Sequence, residues 1–326
     1  MCSKNNSSLS ITREGFIETI SFPVPLFFRP SFVYRKGTDP IYSFYLQQPD
    51  GDAQALSYFT CNDQEAWSLS AAPFGSVYGN EFCTVEMLID FIAEVKRFLI
   101  DKGIQNIGIK HYPACYDPTM HDRVLQALLS NGFEITCTEY NQYLPLHSLS
   151  KKDVFDHSKL HLIKKCKEAG FNVKVSSSFD ADEWYDIIVR ARTLRGHPLT
   201  IDLESLRIMN KGNEECYHFF EVRDNNKIIS CAIGLQVTPD VMYYYLAADE
   251  DDYRNYSPMT FLLDSLYSFA FERGVKILDM GISSSNGIVN EGLHWFKKSF
   301  GSLEQPKLVL EWKAESEMKT EVENGK

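Results

Sequence analysis

The chain has 326 residues, 44 % of them apolar and 13 % aromatic. That is enough for two ordinary cores and too apolar for a disordered or fibrous chain. A formal net charge of −11 excludes a general nucleic-acid binder, which needs a basic face to displace counterions from phosphates, while leaving room for a local basic groove.

No run approaches the roughly 18 apolar residues of a membrane span. The polar first ten residues lack the apolar stretch of a signal peptide, so cytoplasm is the expected compartment. The eight cysteines show no C-x-x-C spacing and read as small buried thiols of a reducing compartment.

In chain order, Ala55–Cys61 and Ala66–Ala71 read as strands. Thr84 opens an amphipathic helix carrying Val85, Leu88, Ile89, Ile92, Val95 and Leu99 on one face, stopped at Gly103. Ile104–Lys110 reads as a strand, Asp122–Ser130 as a helix stopped near Gly132, and Glu134–Leu144 as a closing strand. Next comes the basic helix Ser158–Ala169. Asp180, with Glu183 three residues on, then caps a helix running to Leu194, and a short helix follows at Leu203–Met209. Three strands follow, Tyr217–Arg223, Lys227–Val237 and Val241–Ala247, with turns at 224–226 and 238–240.

The first half's order then recurs: a helix from Ser257 stopped at Gly274, a strand at Val275–Met280, a helix at Asn290–Ser299 stopped near Gly301, and a strand at Lys307–Trp312. A helix–strand–helix–strand unit thus occurs twice with nearly constant offset and little residue identity. An antiparallel meander followed by such a unit predicts an α+β mixed sheet, not a doubly wound one.

Four stretches carry a family resemblance. His161–Val175 (HLIKKCKEAGFNVKV), Arg192–Thr200 (RTLRGHPLT), Tyr253–Gly281 and Gly292–Ser302 (GLHWFKKSFGS) are similar to corresponding segments of GNAT acyltransferases and of the FemAB-type tandem proteins. The last resembles their closing G-L-x-x-F-K-x-x-F-G-G signature, with Ser302 in place of the final glycine. The resemblance implies an α+β chain of two tandem GNAT-like domains, each a mixed, mostly antiparallel sheet flanked by helices. Residues 1–150 would be the acceptor-side half, 151–313 the donor-binding, catalytic half, and 314–326 a flexible tail. It implies transfer of an acyl or aminoacyl group, from acyl-CoA or aminoacyl-tRNA, to an amine on a small molecule or peptide by direct attack. The donor would be the co-substrate, tRNA a partner, and no metal would be needed.

Such chemistry needs an anion site, a polarised carbonyl and an unprotonated amine. A helix N-terminus attracts anions, and the segment Arg254, Asn255, Tyr256, Ser257, Pro258 and Met259 is the expected donor loop, with Ser257 as N-cap and Pro258 at the first helical position. The GNAT pattern places small glycines where Ser257 and Met259 stand, which leaves open a non-catalytic binding protein on a decayed fold. The resemblance implies that the strand before the donor loop, at Tyr245, Leu246 and Ala247, lines the donor and polarises its carbonyl, with Tyr243 sharing the face of Tyr245. Lys297 matches the signature lysine and is expected at the phosphate or developing oxyanion; Lys298 reads as a solvated charge. Arg195 is a candidate for gripping an anion, and His197 a candidate general base. Phe74, Gly75 and Tyr78 resemble the first-domain loop that meets the acceptor. His157 and His161 share a helical face without a third ligand.

Overall fold

The computed structural model describes residues 8–13, 20–34, 41–48, 52–147, 150–196 and 198–314. His197 and the tail after Ala314 lie outside the described residues. Two compact units divide the chain: residues 1–139 with 306–326, and residues 140–305.

In the first unit, strands β1 (Ser8–Arg13), β2 (Ile41–Gln47), β3 (Ala53–Asn62), β4 (Glu65–Ser68), β5 (Val77–Gly79), β6 (Asn106–Lys110) and β7 (Glu134–Pro145, to residue 139) accompany helices α1 (Pro30–Val33), α2 (Val85–Asp101) and α3 (Pro118–Ser130). Strand neighbours run β1-β2-β3-β4-β6, with β5 on the free stretch of β3. Thr84 caps α2 by accepting from the Met87 amide. The helix α3 begins at Pro118, four residues before the expected Asp122, because Asp117 accepts from the Met120 amide and proline suits the first turn.

The aromatic loop at 73–79 packs into this unit's core. Phe74 is 2 % exposed and meets Phe27 edge-on, with centroids 4.8 Å apart, and Tyr116 at 4.9 Å. A Cβ on Gly75 would lie 2.4 Å from the Ser68 carbonyl oxygen, so only glycine fits there. Tyr78, half-buried, packs on Phe28 and Tyr112.

Beneath that loop His111 is fully buried. Its Nδ1 lies 2.9 Å from Ser76 Oγ and its Nε2 3.2 Å from the His121 carbonyl. Burial, and next the His121 ring, push its pKa down to about 3 from 6.5. The folded state therefore keeps the ring neutral while the unfolded chain binds a proton below pH 6.5. This contribution to stability is complete above that pH and is lost as pH falls toward 3, at up to about 1.4 kcal/mol per pH unit. His111→Gln should flatten the urea-derived stability between pH 6 and 4; an unchanged slope would assign the acid sensitivity elsewhere.

The second unit holds α4 (His157–Glu168), β8 (Asn172–Ser176), α5 (Ala181–Leu194), α6 (Leu203–Arg207), β9 (Tyr217–Asp224), β10 (Lys227–Thr238), β11 (Val241–Asp249), α7 (Pro258–Glu272), β12 (Ile277–Ile282), the small hairpin β13 (Ser284–Ser285) and β14 (Ile288–Val289), and α8 (Glu291–Lys298). The last strand, β15 (Leu303–Lys313), begins here and passes at residue 306 into the first unit, where it pairs antiparallel with β6. Residues 141–145 of β7 pair with β12, and the order continues β12-β11-β10-β9-β8. All these pairs are antiparallel except β11 with β12.

The repeated unit is present in both halves: α2-β6-α3-β7 and α7-β12-α8-β15. Gly103 and Gly274 end their helices at φ of +85° and +74°, a conformation costly for residues with a Cβ. The second core packs α4 and α7 against one sheet face through Cys166, Phe220, Met242, Leu262, Leu266, Leu278 and Phe300. On the opposite face, α5 is anchored by Trp184, fully buried, whose indole N–H donates to Glu221 at 2.8 Å.

Candidate functional site

Strand β11 carries a bulge. Cys231 faces Ala248 and Ile233 faces Tyr245, so Leu246 and Ala247 together oppose Ala232. Leu246 takes φ +48° to absorb the extra residue. On its other edge β11 runs parallel to β12 only from Val241↔Ile277 to Tyr243↔Asp279. Beyond Tyr243 the two strands no longer pair, and a cavity of about 840 Å³ opens between them. The bulge thus turns strand edge into cavity wall.

Tyr244, Leu246, Ala247, Ala248 and Asp249 form one wall, with Met280 and Ile282 of β12 facing them. Asn290, which caps α8, with Leu293, Phe296 and Lys297 of that helix, the end of α5 and the start of α7 close the remainder. Among the described residues on the wall, Arg192, Arg195, Arg254 and Lys297 are basic and only Asp249 is acidic. In a chain of net charge −11, this concentrates positive potential where an anionic ligand fits.

Lys297 is 2 % exposed. Its ammonium donates to the Gly281 carbonyl at 2.9 Å and to the Ile282 carbonyl at 2.7 Å, gripping β12 just past the point where β11 leaves it. Asn290 caps α8 by accepting from the Leu293 amide, which fixes the helix that delivers this lysine.

The donor loop differs from expectation in one respect. Ser257 does not cap α7 with its side chain: it sits at φ +53°, and its hydroxyl pairs with Thr260 Oγ1 at 2.8 Å. The chain reaches the helix through tight turns that consume amides. Tyr253 N–H bonds Glu250 O, Arg254 bonds Asp251 O, Tyr256 bonds Tyr253 O, Ser257 bonds Arg254 O and Thr260 bonds Ser257 O. Pro258 has none. Along the cavity wall the Met259 amide is the donor left at the positive end of the helix dipole. Beside it, Lys165 of α4 donates to Asn255 O at 2.6 Å and lies over the Tyr256 ring, bringing the basic helix next to the loop.

Among the residues singled out from sequence, Leu246, Ala247, Arg254, Ser257, Met259, Arg195 and Lys297 line this one cavity. Arg195 is tied to Asp249 at 2.6 Å, which joins α5 to β11 across the wall. Tyr245 stacks on Tyr243, centroids 5.8 Å apart, rather than lining the cavity. Tyr256 packs on Phe171 of the core, and Asn255 and Pro258 do not line the cavity. Phe74, Gly75 and Tyr78 belong to the first unit. Sequence reasoning missed Arg192, Tyr244, Met280, Ile282, Asn290, Leu293 and Phe296. The helical spacing of Asn290 and Leu293 from Lys297 could have revealed both of them.

Residues 161–291 match the acetyltransferase (GNAT) domain. No curated protein matches the sequence. Among solved structures the fold resembles that of FemX, with 13 % identity over 90 % of this chain and 92 % of that chain and a TM-score of 0.65. It also resembles the C-terminal domain of a putative lysylphosphatidylglycerol synthetase from Agrobacterium fabrum, at 12 % identity, 88 % of each chain and TM-score 0.62. A third likeness is L-PGS from Bacillus licheniformis, at 12 % identity, 86 % of each chain and TM-score 0.58. At such identities the likeness is one of fold.

Proposed function

From a chain with the GNAT-type, FemAB-like fold, we propose an acyltransferase that moves an aminoacyl group from a phosphate-bearing donor to an amine by direct attack. The observation that carries this reading is the cavity where β11 parts from β12, with Lys297 buried in its wall and the amino end of α7 at its rim.

The donor's phosphate meets the Met259 amide and the Arg254 guanidinium. Its carbonyl lies against the bulged backbone of β11, past the last ladder pair with β12 at Tyr243↔Asp279. The incoming amine adds to the carbonyl carbon, and negative charge develops on the oxygen. The Lys297 ammonium stands within this wall to oppose that charge at low dielectric. Collapse of the adduct expels the donor's oxygen or sulfur, which takes up a proton from the attacking nitrogen. No enzyme-linked intermediate is required.

The amide accounting favours aminoacyl-tRNA over acyl-CoA. A pyrophosphate cradle uses several consecutive free backbone N–H groups, whereas here internal turns consume nearly all of them and proline removes another. One amide and one guanidinium suit a single phosphodiester, and α4 adds Lys165 alongside. L-PGS and the putative lysylphosphatidylglycerol synthetase, whose folds are similar, accord with aminoacyl chemistry.

Transfer should be assayed with a set of aminoacyl-tRNAs and a set of acyl-CoAs, offering mixed primary amines. Aminoacyl-tRNA should be consumed and acyl-CoA spared. Arg254→Ala should raise the donor KM about tenfold with kcat little changed, matching loss of one charge-assisted contact. Consumption of acyl-CoA alone would overturn the donor choice. Inertness toward both sets would leave a binding protein on the same fold.

A further inference from the structure

The face of β11 and β12 opposite Met280 carries a second set of polar groups that the cavity does not use. Tyr243 of β11, Asp279 of β12 and Tyr143 of β7 stand side by side in register. Asn141, two residues from Tyr143, lies on the same face, and its amide nitrogen donates to Asp279 Oδ1 at 2.9 Å. The Gly281 amide donates to the same oxygen at 2.9 Å. Both Asn141 and Asp279 are nearly inaccessible, at 1 % and 2 %.

The side-chain oxygen of Asn141 is buried and has no hydrogen-bond partner. A buried acceptor left unpaired keeps its full desolvation cost, so an occupant that donates hydrogen bonds is called for. The Asp279 carboxylate beside it makes a positively charged donor preferable to a neutral one. Around this pair stand Tyr243 and Tyr245, stacked, and Tyr143, all half-buried. Aromatic faces attract cations. Tyr243 is held close over the carboxylate: burial, and next Asp279 itself, push its hydroxyl upward in pKa. Gly281, at φ +73°, leaves room for that ring, since a Cβ there would lie 3.1 Å from the Tyr243 hydroxyl.

We propose that Asp279, Asn141, Tyr243 and Tyr245 form the recognition site for the primary ammonium group of the acceptor. The ammonium donates to the Asp279 carboxylate and to Asn141 Oδ1, and it passes one proton to that carboxylate before attacking as the neutral amine; the tyrosine rings turn aside to admit it and then close over its carbon chain, a rotamer change common at binding sites. The position matches the need: Tyr243↔Asp279 is the last pair before the strands part, so a nitrogen held here borders the point where β11 leaves β12. The amine's role as acceptor rests on the transferase reading; its binding does not.

The test is ligand-observed NMR on the full chain with pentylammonium chloride, and with pentan-1-ol as the neutral isostere. Pentylammonium should bind, pentan-1-ol should bind at least tenfold more weakly, and Asp279→Asn should weaken pentylammonium at least tenfold. Should Asp279→Asn fail to fold by circular dichroism, Tyr243→Leu takes its place, with a loss of threefold or more. Equal binding of amine and alcohol, unchanged binding in the variants, or no binding of pentylammonium at all would each overturn the proposal. Amine binding without consumption of any donor would sink the transferase reading and spare this one. Donor consumption without amine binding would do the reverse.

Discussion

Replacing Lys297 with methionine should lower the rate of aminoacyl transfer by roughly 10²–10³-fold, the loss typical of removing one group that opposes a developing oxyanion. It should also destabilise the fold. The ammonium is the donor to the Gly281 and Ile282 carbonyls, and hydrogen bonds from a charged group contribute about 1.5–3 kcal/mol each. Methionine fills the same volume but offers neither carbonyl a donor. A loss of about 3–6 kcal/mol in urea unfolding at constant m-value is therefore expected. Lys297→Arg should not restore activity, because the planar guanidinium needs a wider slot than one ammonium in a side chain 2 % exposed. The two readouts separate two roles. Stability lost with transfer intact would make Lys297 a clamp on β12 and nothing more. Transfer lost with stability intact would show that the carbonyl contacts are incidental.

Much of the architecture was legible because its signals are local. Thr84, Asp180 and Asn290 cap their helices through side-chain oxygens as their positions suggest. The two glycines that close α2 and α7 adopt the same left-handed turn, which made the repeat visible without residue identity. The strand β2 was missed because its middle is buried on both faces, so that it shows no alternation. Ser257 misled because tertiary context overrode its preference: the turns before Pro258 set its backbone left-handed and aim its hydroxyl at Thr260. The bulge at Leu246 was equally hidden. It exists only as a mismatch in count against Ala232 on another strand, and leucine gives no hint of positive φ. Lys297 was legible as a signature residue, but its depth was not, since the carbonyls it binds lie fifteen and sixteen residues earlier. The pairing of Asn141 with Asp279 spans 138 residues and leaves no trace in local pattern.

Glu221→Ala should cost about 3 kcal/mol and weaken the donor site at a distance. Glu221 is 1 % exposed and accepts from Trp184 Nε1 and from Arg223 Nε, each at 2.8 Å. Removing one partner of a buried pair costs about 3–5 kcal/mol. Arg223 keeps some access to water, at 20 % side-chain exposure, which places the expectation at the low end of that range. Glu221→Gln keeps an acceptor for the indole and gives up only the charge toward Arg223, so it should cost less than the alanine variant. The functional consequence follows from what α5 carries: its end contributes Ala191, Arg192 and Arg195 to the cavity wall. Two further links, Arg190 to Glu250 and Arg195 to Asp249, both at 2.6 Å, involve arginines that are 54 % and 39 % exposed. Exposed pairs of this kind contribute about 0–1 kcal/mol each, too little to hold the helix in register once the Trp184 anchor is lost. Donor affinity should thus fall in the order wild type, Glu221→Gln, Glu221→Ala, tracking the urea midpoint. Donor titrations and unfolding curves measured in one buffer would check it. A variant that loses stability while binding donor as tightly as wild type would show that the basic wall is held by β11 and not by α5.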